Sequence, residues 1–157
     1  MKDYTWFKHY PDKIPHEIDP DRYSSLADLF NQCVERYREL PAFESFGKIL
    51  TYDDMDRLTR SFAAFLQKQG LTKGDRVAIQ LPNTLQYPVA LFGALRAGLV
   101  VVNTNPLYTS REMKEKFQDS GAKAIVIMAN YAVNLEEIIS ETEIKTVVVT
   151  EIGDLIG

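Results

Sequence analysis

The chain has 157 residues, of which 45% are hydrophobic and 25% charged, and 18 basic against 22 acidic residues leave a net charge of −4. That length suits one domain with a proper core, burying ~70% of the surface its unfolded chain exposes. The acidic balance, with no basic run, argues against a nucleic-acid partner, and the single cysteine, Cys33, excludes a disulfide framework and points to a reducing compartment.

Residues 1–22 read as an extended arm with prolines at 11, 15 and 20, and with Trp6, Phe7 and Tyr10 available to dock on a neighbouring surface. The arm has no uninterrupted apolar core of the secretory kind. No stretch of the chain approaches bilayer-crossing length, since the most apolar one, residues 89–102, is broken by Arg96 and Gly98. A cytoplasmic protein is therefore expected, with peripheral contact at the inner membrane face left open.

From residue 23 onward the pattern is α/β. Ser25 and Asp28 cap a first helix whose apolar stripe is Leu26, Leu29, Phe30, Cys33, Val34 and Tyr37, which makes Cys33 a buried core thiol rather than a nucleophile. Pro41 ends that helix. Residues 42–46 and 48–52 form a hairpin around Gly47. Thr51 and Asp54 cap a second helix, with stripe Met55, Leu58, Phe62, Phe65 and Leu66 and a stop at Gly70. Asp53, Asp54 and Asp56 fall in its first turns, where the helix dipole alone favours carboxylates, so they are not read as a metal site.

Residues 76–81 are apolar without alternation, as in a strand covered on both faces. A helix over about 84–97 follows, then a second strand over 99–102. Thr109 and Glu112 box the start of the next helix, and Gly121 closes it. A third strand spans 124–128, a helix runs through Leu135, Ile138 and Ile139, and a fourth strand spans 147–150. This alternation predicts an open, mainly parallel sheet with helices on both faces plus a short N-terminal hairpin. Because no closing helix follows the last strand, residues 23–157 are expected to be an incomplete piece of a larger domain.

No residue set for chemistry accompanies this fold. The eight glycines make neither G-x-G-x-x-G nor G-x-x-x-x-G-K-[ST], and no G-x-S-x-G occurs. The two histidines, His9 and His16, both sit in the arm, so a zinc site or a serine–histidine pair is not expected. Ligands of open parallel sheets lie beyond the strand C-termini, here Pro82-Asn83, residues 103–108 and Ala129-Asn130. Asn103, Asn105 and Tyr108 bring polar groups to the second of these loops, which also runs into a helix N-terminus, a place that attracts anions. Asparagines and prolines serve equally to make turns there. The residues alone leave open a free-standing flavodoxin-like small-molecule binding module, or a protein-interaction domain docking through its aromatic arm.

Leu50-Thr-Tyr52, and Leu95-Arg-Ala-Gly98 with the run from Val101 to Tyr108 (VVNTNPLY), resemble adenylate-forming enzymes. Further matches are Asp19-Pro-Asp-Arg-Tyr23, Lys73-Gly-Asp-Arg-Val77, Leu81-Pro-Asn83, the run from Gln86 to Gly93 (QYPVALFG) and Asp119-Ser-Gly-Ala122. Together they resemble the N-terminal part of bacterial long-chain fatty acid–CoA ligases across the whole chain. The resemblance implies the N-terminal subdomain of an enzyme that activates a fatty acid with ATP and Mg²⁺ to an acyl-adenylate and passes the acyl group to CoA. The family's phosphate loop, metal-holding glutamate, ribose-binding aspartate and C-terminal lysine lie in sequence beyond these motifs. No catalytic or metal-binding residue is therefore assigned, and this chain alone is expected to be inactive, working with the remainder of its own polypeptide. The resemblance places Asn105, Pro106, Leu107 and Tyr108 at the entrance used by CoA. Some members carry arginines for the CoA nucleotide phosphates in the loop after the third strand, where this chain has Ala129-Asn130-Tyr131.

Overall fold

The computed structural model describes residues 4–156, so residues 1–3 of the expected arm and Gly157 of the expected subdomain lie outside the described residues. Two sheets form. The hairpin pairs β1 (Pro41–Ser45) with β2 (Lys48–Thr51) in antiparallel fashion. Its two-residue turn places both Phe46 (φ 51°) and Gly47 (φ 78°) in the left-handed region, the geometry that matches the twist of a tight hairpin. Glycine bears that φ at no cost, whereas Phe46 adopts it with a ring that is 72% exposed.

The main sheet has four parallel strands, β3 (Arg76–Gln80), β4 (Val100–Asn103), β5 (Ala124–Met128) and β6 (Thr146–Thr150), in the order β4-β3-β5-β6. The chain steps outward from β3 to β4, then crosses back over β3 to reach β5. Right-handed crossovers then require the helices of the two directions to lie on opposite faces. They do. On one face α2 (Tyr52–Lys68) and α3 (Gln86–Arg96) bury Val77, Ile79, Ala124 and Val126. On the other, α4 (Ser110–Ser120) and α5 (Ala132–Glu136) bury Ala78, Ile125 and Ile127 beneath Met113, Phe117 and Leu135. A third cluster joins α1 (Leu26–Tyr37) to α2 and α3 through Phe30, Val34, Met55 and Leu85.

Local signals account for the boundaries. Ser25 Oγ accepts from the Asp28 N–H at the start of α1. Reciprocal capping boxes hold Thr51 with Asp54 and Thr109 with Glu112. Gly121 ends α4 in the left-handed conformation.

Several expectations are corrected. Leu26 and Phe65 are exposed, at 60% and 39%, while Thr59 and Ala63 are buried in α2 instead. The stripe of α2 is thus turned toward α3, whose close approach favours small residues. Cys33 is only partly buried. The helix expected through Ile139 stops at Glu136, flanked by 3₁₀ turns at Ala129–Tyr131 and Ile139–Glu141. The arm is not extended throughout, because Phe7–His9 makes a 3₁₀ turn and the aromatic rings pack on one another. The chain also continues in ordered form past β6. Ile152–Leu155 turns back, Gln86 Nε2 donates to the Glu151 carbonyl at 2.7 Å, and Leu155 packs on the α1–α2–α3 cluster.

Candidate functional site

The order reverses between β3 and β5, which makes their C-terminal ends the switch point where open parallel sheets form a crevice. A recess of about 720 Å³ opens there. Pro82 after β3, Met128, Ala129, Asn130 and Tyr131 after β5, and Glu151 to Gly153 after β6 line it. Two of the three strand-end loops singled out above therefore converge, through Pro82 and Ala129-Asn130. Asn83 faces a different groove of about 420 Å³, between the hairpin and the start of α3, where Phe43, Leu85, Pro88 and Phe92 make an apolar wall.

Asn105 to Tyr108 form the loop between β4 and α4, on the far side of β3, and do not line the switch-point recess. They are nonetheless tied to its rim. Tyr108 and Tyr131 pack against the same core cluster, and Asn134 Nδ2 donates to the Tyr108 carbonyl at 3.4 Å. Within the loop, Asn105 Oδ1 accepts from the Leu107 N–H at 3.0 Å and the Asn105 carbonyl accepts from the Tyr108 N–H at 3.1 Å. The Asn105 side-chain oxygen is thus occupied in shaping a turn. Leu107 projects from the loop, 78% exposed.

The helix N-terminus next to this loop does not offer the anion site its position first indicates. The Glu112 carboxylate already accepts from the Thr109 N–H and hydroxyl, both at 2.8 Å, and those bonds draw its pKa below the usual range. A fixed negative charge there repels a second anion.

Two residues not singled out from the sequence organise the strand ends. Gln80, the last residue of β3, is fully buried, and its Nε2 donates to the Asn105 carbonyl at 3.2 Å, with the Pro106 carbonyl 3.5 Å away. Its Oε1 is buried without a partner. Tyr87, in the first turn of α3, donates its hydroxyl to Asn103 Oδ1 at 3.0 Å and so links the start of α3 to the end of β4. A glutamine closing an apolar strand was the visible signal for the first; nothing local marks the second.

The rim is mainly apolar, with a few polar groups. Among the described residues lining the recess and the adjoining groove there is no lysine or arginine, and the carboxylates are Glu44 and Glu151. No group of three or more His, Cys, Asp or Glu among the described residues could hold a metal ion. Such a lining suits an uncharged, largely apolar part of a ligand; it does not fit a polyphosphate or its magnesium, which need fixed cations or clustered carboxylates. Asp53, Asp54 and Asp56 are each engaged by arginines, Arg38, Arg57, and Arg60 with Arg96 respectively.

Comparison with known proteins adds to this geometry. The profile of the AMP-binding enzyme family matches residues 30–155. A long-chain-fatty-acid–CoA ligase of Escherichia coli O6:H1 is 53% identical over 151 residues, covering 96% of this chain and 27% of the relative. The corresponding ligase of Haemophilus influenzae is 46% identical over 150 residues, covering 95% and 27%. Among solved structures, a long-chain-fatty-acid–CoA ligase from Archaeoglobus fulgidus aligns with a TM-score of 0.75 at 25% identity, over 80% of this chain and 27% of that one. The chain spans about a quarter of the length of the relatives it matches. With a family profile running through α1 to the turn after β6, over a parallel sheet that carries the same fold, the chain belongs to the AMP-binding enzyme family.

Proposed function

We propose that this chain is the N-terminal subdomain of a long-chain fatty acid–CoA ligase. Together with the remainder of its polypeptide it activates a fatty acid with ATP and Mg²⁺ to an acyl-adenylate and transfers the acyl group to CoA. The observation that carries the reading is the 53% identity over 96% of the chain to a ligase of that activity. A rim whose described lining residues include no lysine or arginine agrees with a subdomain that shapes a ligand's path and leaves phosphates and metal to other parts of the enzyme. Asn105, Pro106, Leu107 and Tyr108 are assigned to one wall of the CoA entrance, where the uncharged arm of CoA passes. The protein is cytoplasmic in this reading and touches the inner membrane face, from which long-chain acids partition.

A segment exchange tests it. The chain replaces the matching 151 residues of the Escherichia coli ligase, and palmitoyl-CoA formation is measured beside palmitate-dependent ATP–pyrophosphate exchange by this chain alone. The expected result is retained ligation by the chimera and no exchange by the isolated chain. A chimera that folds but is inert, or exchange by the isolated chain, overturns the proposal.

A further inference from the structure

Gln80 breaks the rule of the strand it closes. It stands between Ile79 and Leu81 at the end of an apolar run, it is fully buried, and its Oε1 has no partner among the described residues. A buried, unpaired carbonyl oxygen costs stability that an apolar side chain in the same place does not. Stability alone therefore does not account for a glutamine here. Departures of this kind are expected where a residue serves function instead.

Its other side-chain atom shows what that function touches. At the start of the loop between β4 and α4, the Thr104 N–H donates to the Ile79 carbonyl at 3.0 Å, and at its end Asn134 Nδ2 donates to the Tyr108 carbonyl at 3.4 Å. Between these ties, among the described residues, the hydrogen bonds that reach residues 105–107 from outside the loop come from Gln80. Nε2 donates to the Asn105 carbonyl at 3.2 Å and lies 3.5 Å from the Pro106 carbonyl. The bonds within the turn run from the Leu107 N–H to Asn105 Oδ1 and from the Tyr108 N–H to the Asn105 carbonyl. They fix the shape of the turn but not its seat on the sheet. Leu107 projects from that turn, so the seat decides where its exposed side chain stands.

We propose that Gln80 is a positioning residue for CoA capture: its amide seats Asn105 and Pro106 on the end of β3 and so holds Leu107 against the uncharged arm of CoA. Gln80 is buried out of the ligand's reach and acts through the loop. This rests on the reading of residues 105–108 as one wall of the CoA entrance. Adenylate formation precedes the entry of CoA, so it is insensitive to Gln80, whereas the affinity for CoA is not.

The chimera with the Escherichia coli ligase carries the test, as the parent and as Gln80→Leu and Gln80→Met, side chains of different shape that both lack the donor. The KM for CoA should rise about fivefold in each, the scale of one hydrogen bond. The kcat at saturating CoA, and the KM values for ATP and palmitate in pyrophosphate exchange, should stay within about twofold of the parent. Leu107→Ala should raise the KM for CoA as well, and Gln80→Leu/Leu107→Ala should raise it no further than the larger single change, because both act on one contact. A working chimera whose KM for CoA is unmoved in both Gln80 variants overturns this proposal alone. So do equal losses in exchange and ligation, which make Gln80 a general support of the fold, and full additivity with Leu107→Ala. An inert parent chimera overturns the reading of function and this proposal with it.

Discussion

Arg96 and Asp56 meet across the α3–α2 interface with Nη2 2.5 Å from Oδ1, and their side chains are only 9% and 15% exposed. Arg96 does more than pair. Nη1 donates to the Asp56 carbonyl and to Thr59 Oγ1, Nη2 to Asn31 Oδ1 in α1, and the guanidinium lies 4.9 Å from the centre of the Phe30 ring. One side chain thus ties three helices. Burial pushes the Asp56 pKa up, yet hydrogen bonds from Arg60 and Arg96 more than offset it and hold the carboxyl below its usual range. Removing one partner of a buried pair typically costs about 3 kcal/mol, because the other charge stays behind unpaired. Arg96→Met should lower stability by about that amount in urea unfolding. Arg60→Met, at the exposed partner of the same carboxylate, should change it by under about 1 kcal/mol. Equal losses in the two variants would refute the hub role.

At Gly93, α3 packs tightly on α2. A Cβ there would sit 2.8 Å from Phe62 Cδ1 and 3.2 Å from the Thr59 carbonyl oxygen. The ring can swing away but the backbone cannot. Gly93→Ala gains about 1 kcal/mol of helix propensity and should still lose on balance, since overpacking costs about 1–3 kcal/mol. Trimming the neighbour in Phe62→Leu/Gly93→Ala should recover part of the loss. A stabilised Gly93→Ala single variant would show that the two helices separate freely.

The elements that read most clearly from the sequence are those set by local rules. The Thr51–Asp54 and Thr109–Glu112 boxes span three residues, Gly121 needs only its own φ, and β5 is an unbroken apolar run, so each was legible without knowledge of its neighbours. Arg96 shows the opposite case. In the sequence it interrupts an apolar stretch, whereas its partners lie about 40 and 65 residues away in α2 and α1. Periodicity likewise put Phe65 inward and missed Thr59, because the direction in which α2 faces is decided by α3. At the candidate site, the crevice followed from alternation and strand order. Gln80 and Tyr87 did not, since both act through contacts between strand ends that no spacing reveals.

Gln80 gives predictions that differ between the global and the local scale. Gln80→Leu removes a buried acceptor that has no partner and leaves the Asn105 and Pro106 carbonyls to other donors. A typical hydrogen bond contributes about 1 kcal/mol net, and an orphaned buried acceptor costs a comparable amount. Global stability should therefore stay within about 1 kcal/mol of the parent. The loop should loosen locally, with amide exchange at Leu107 and Tyr108 about fivefold faster. Unchanged exchange at those two amides would remove Gln80 from the support of the loop.

Acid should unfold this chain through carboxylates held by the fold. The Asp75 pKa is drawn down to about 2, chiefly by the Lys123 ammonium 2.6 Å away and then by the Thr72 N–H. Asp28, Asp54, Glu112 and Asp154 are also lowered, each chiefly by a backbone N–H at its cap or turn. A carboxyl whose folded pKa lies below its unfolded value, near 4 for aspartate, stabilises the fold fully above that value. The stabilisation is lost as pH falls through the folded pKa. The urea midpoint should thus be level from neutral pH to about 5 and decline between about 4 and 2. Asp75→Asn should start from a lower midpoint and decline less steeply across that window. Lys123→Met should raise the Asp75 titration toward its ordinary range when it is followed by NMR. An Asp75→Asn profile parallel to that of the parent from pH 5 to 2 would exclude the Asp75–Lys123 pair as a source of the acid sensitivity.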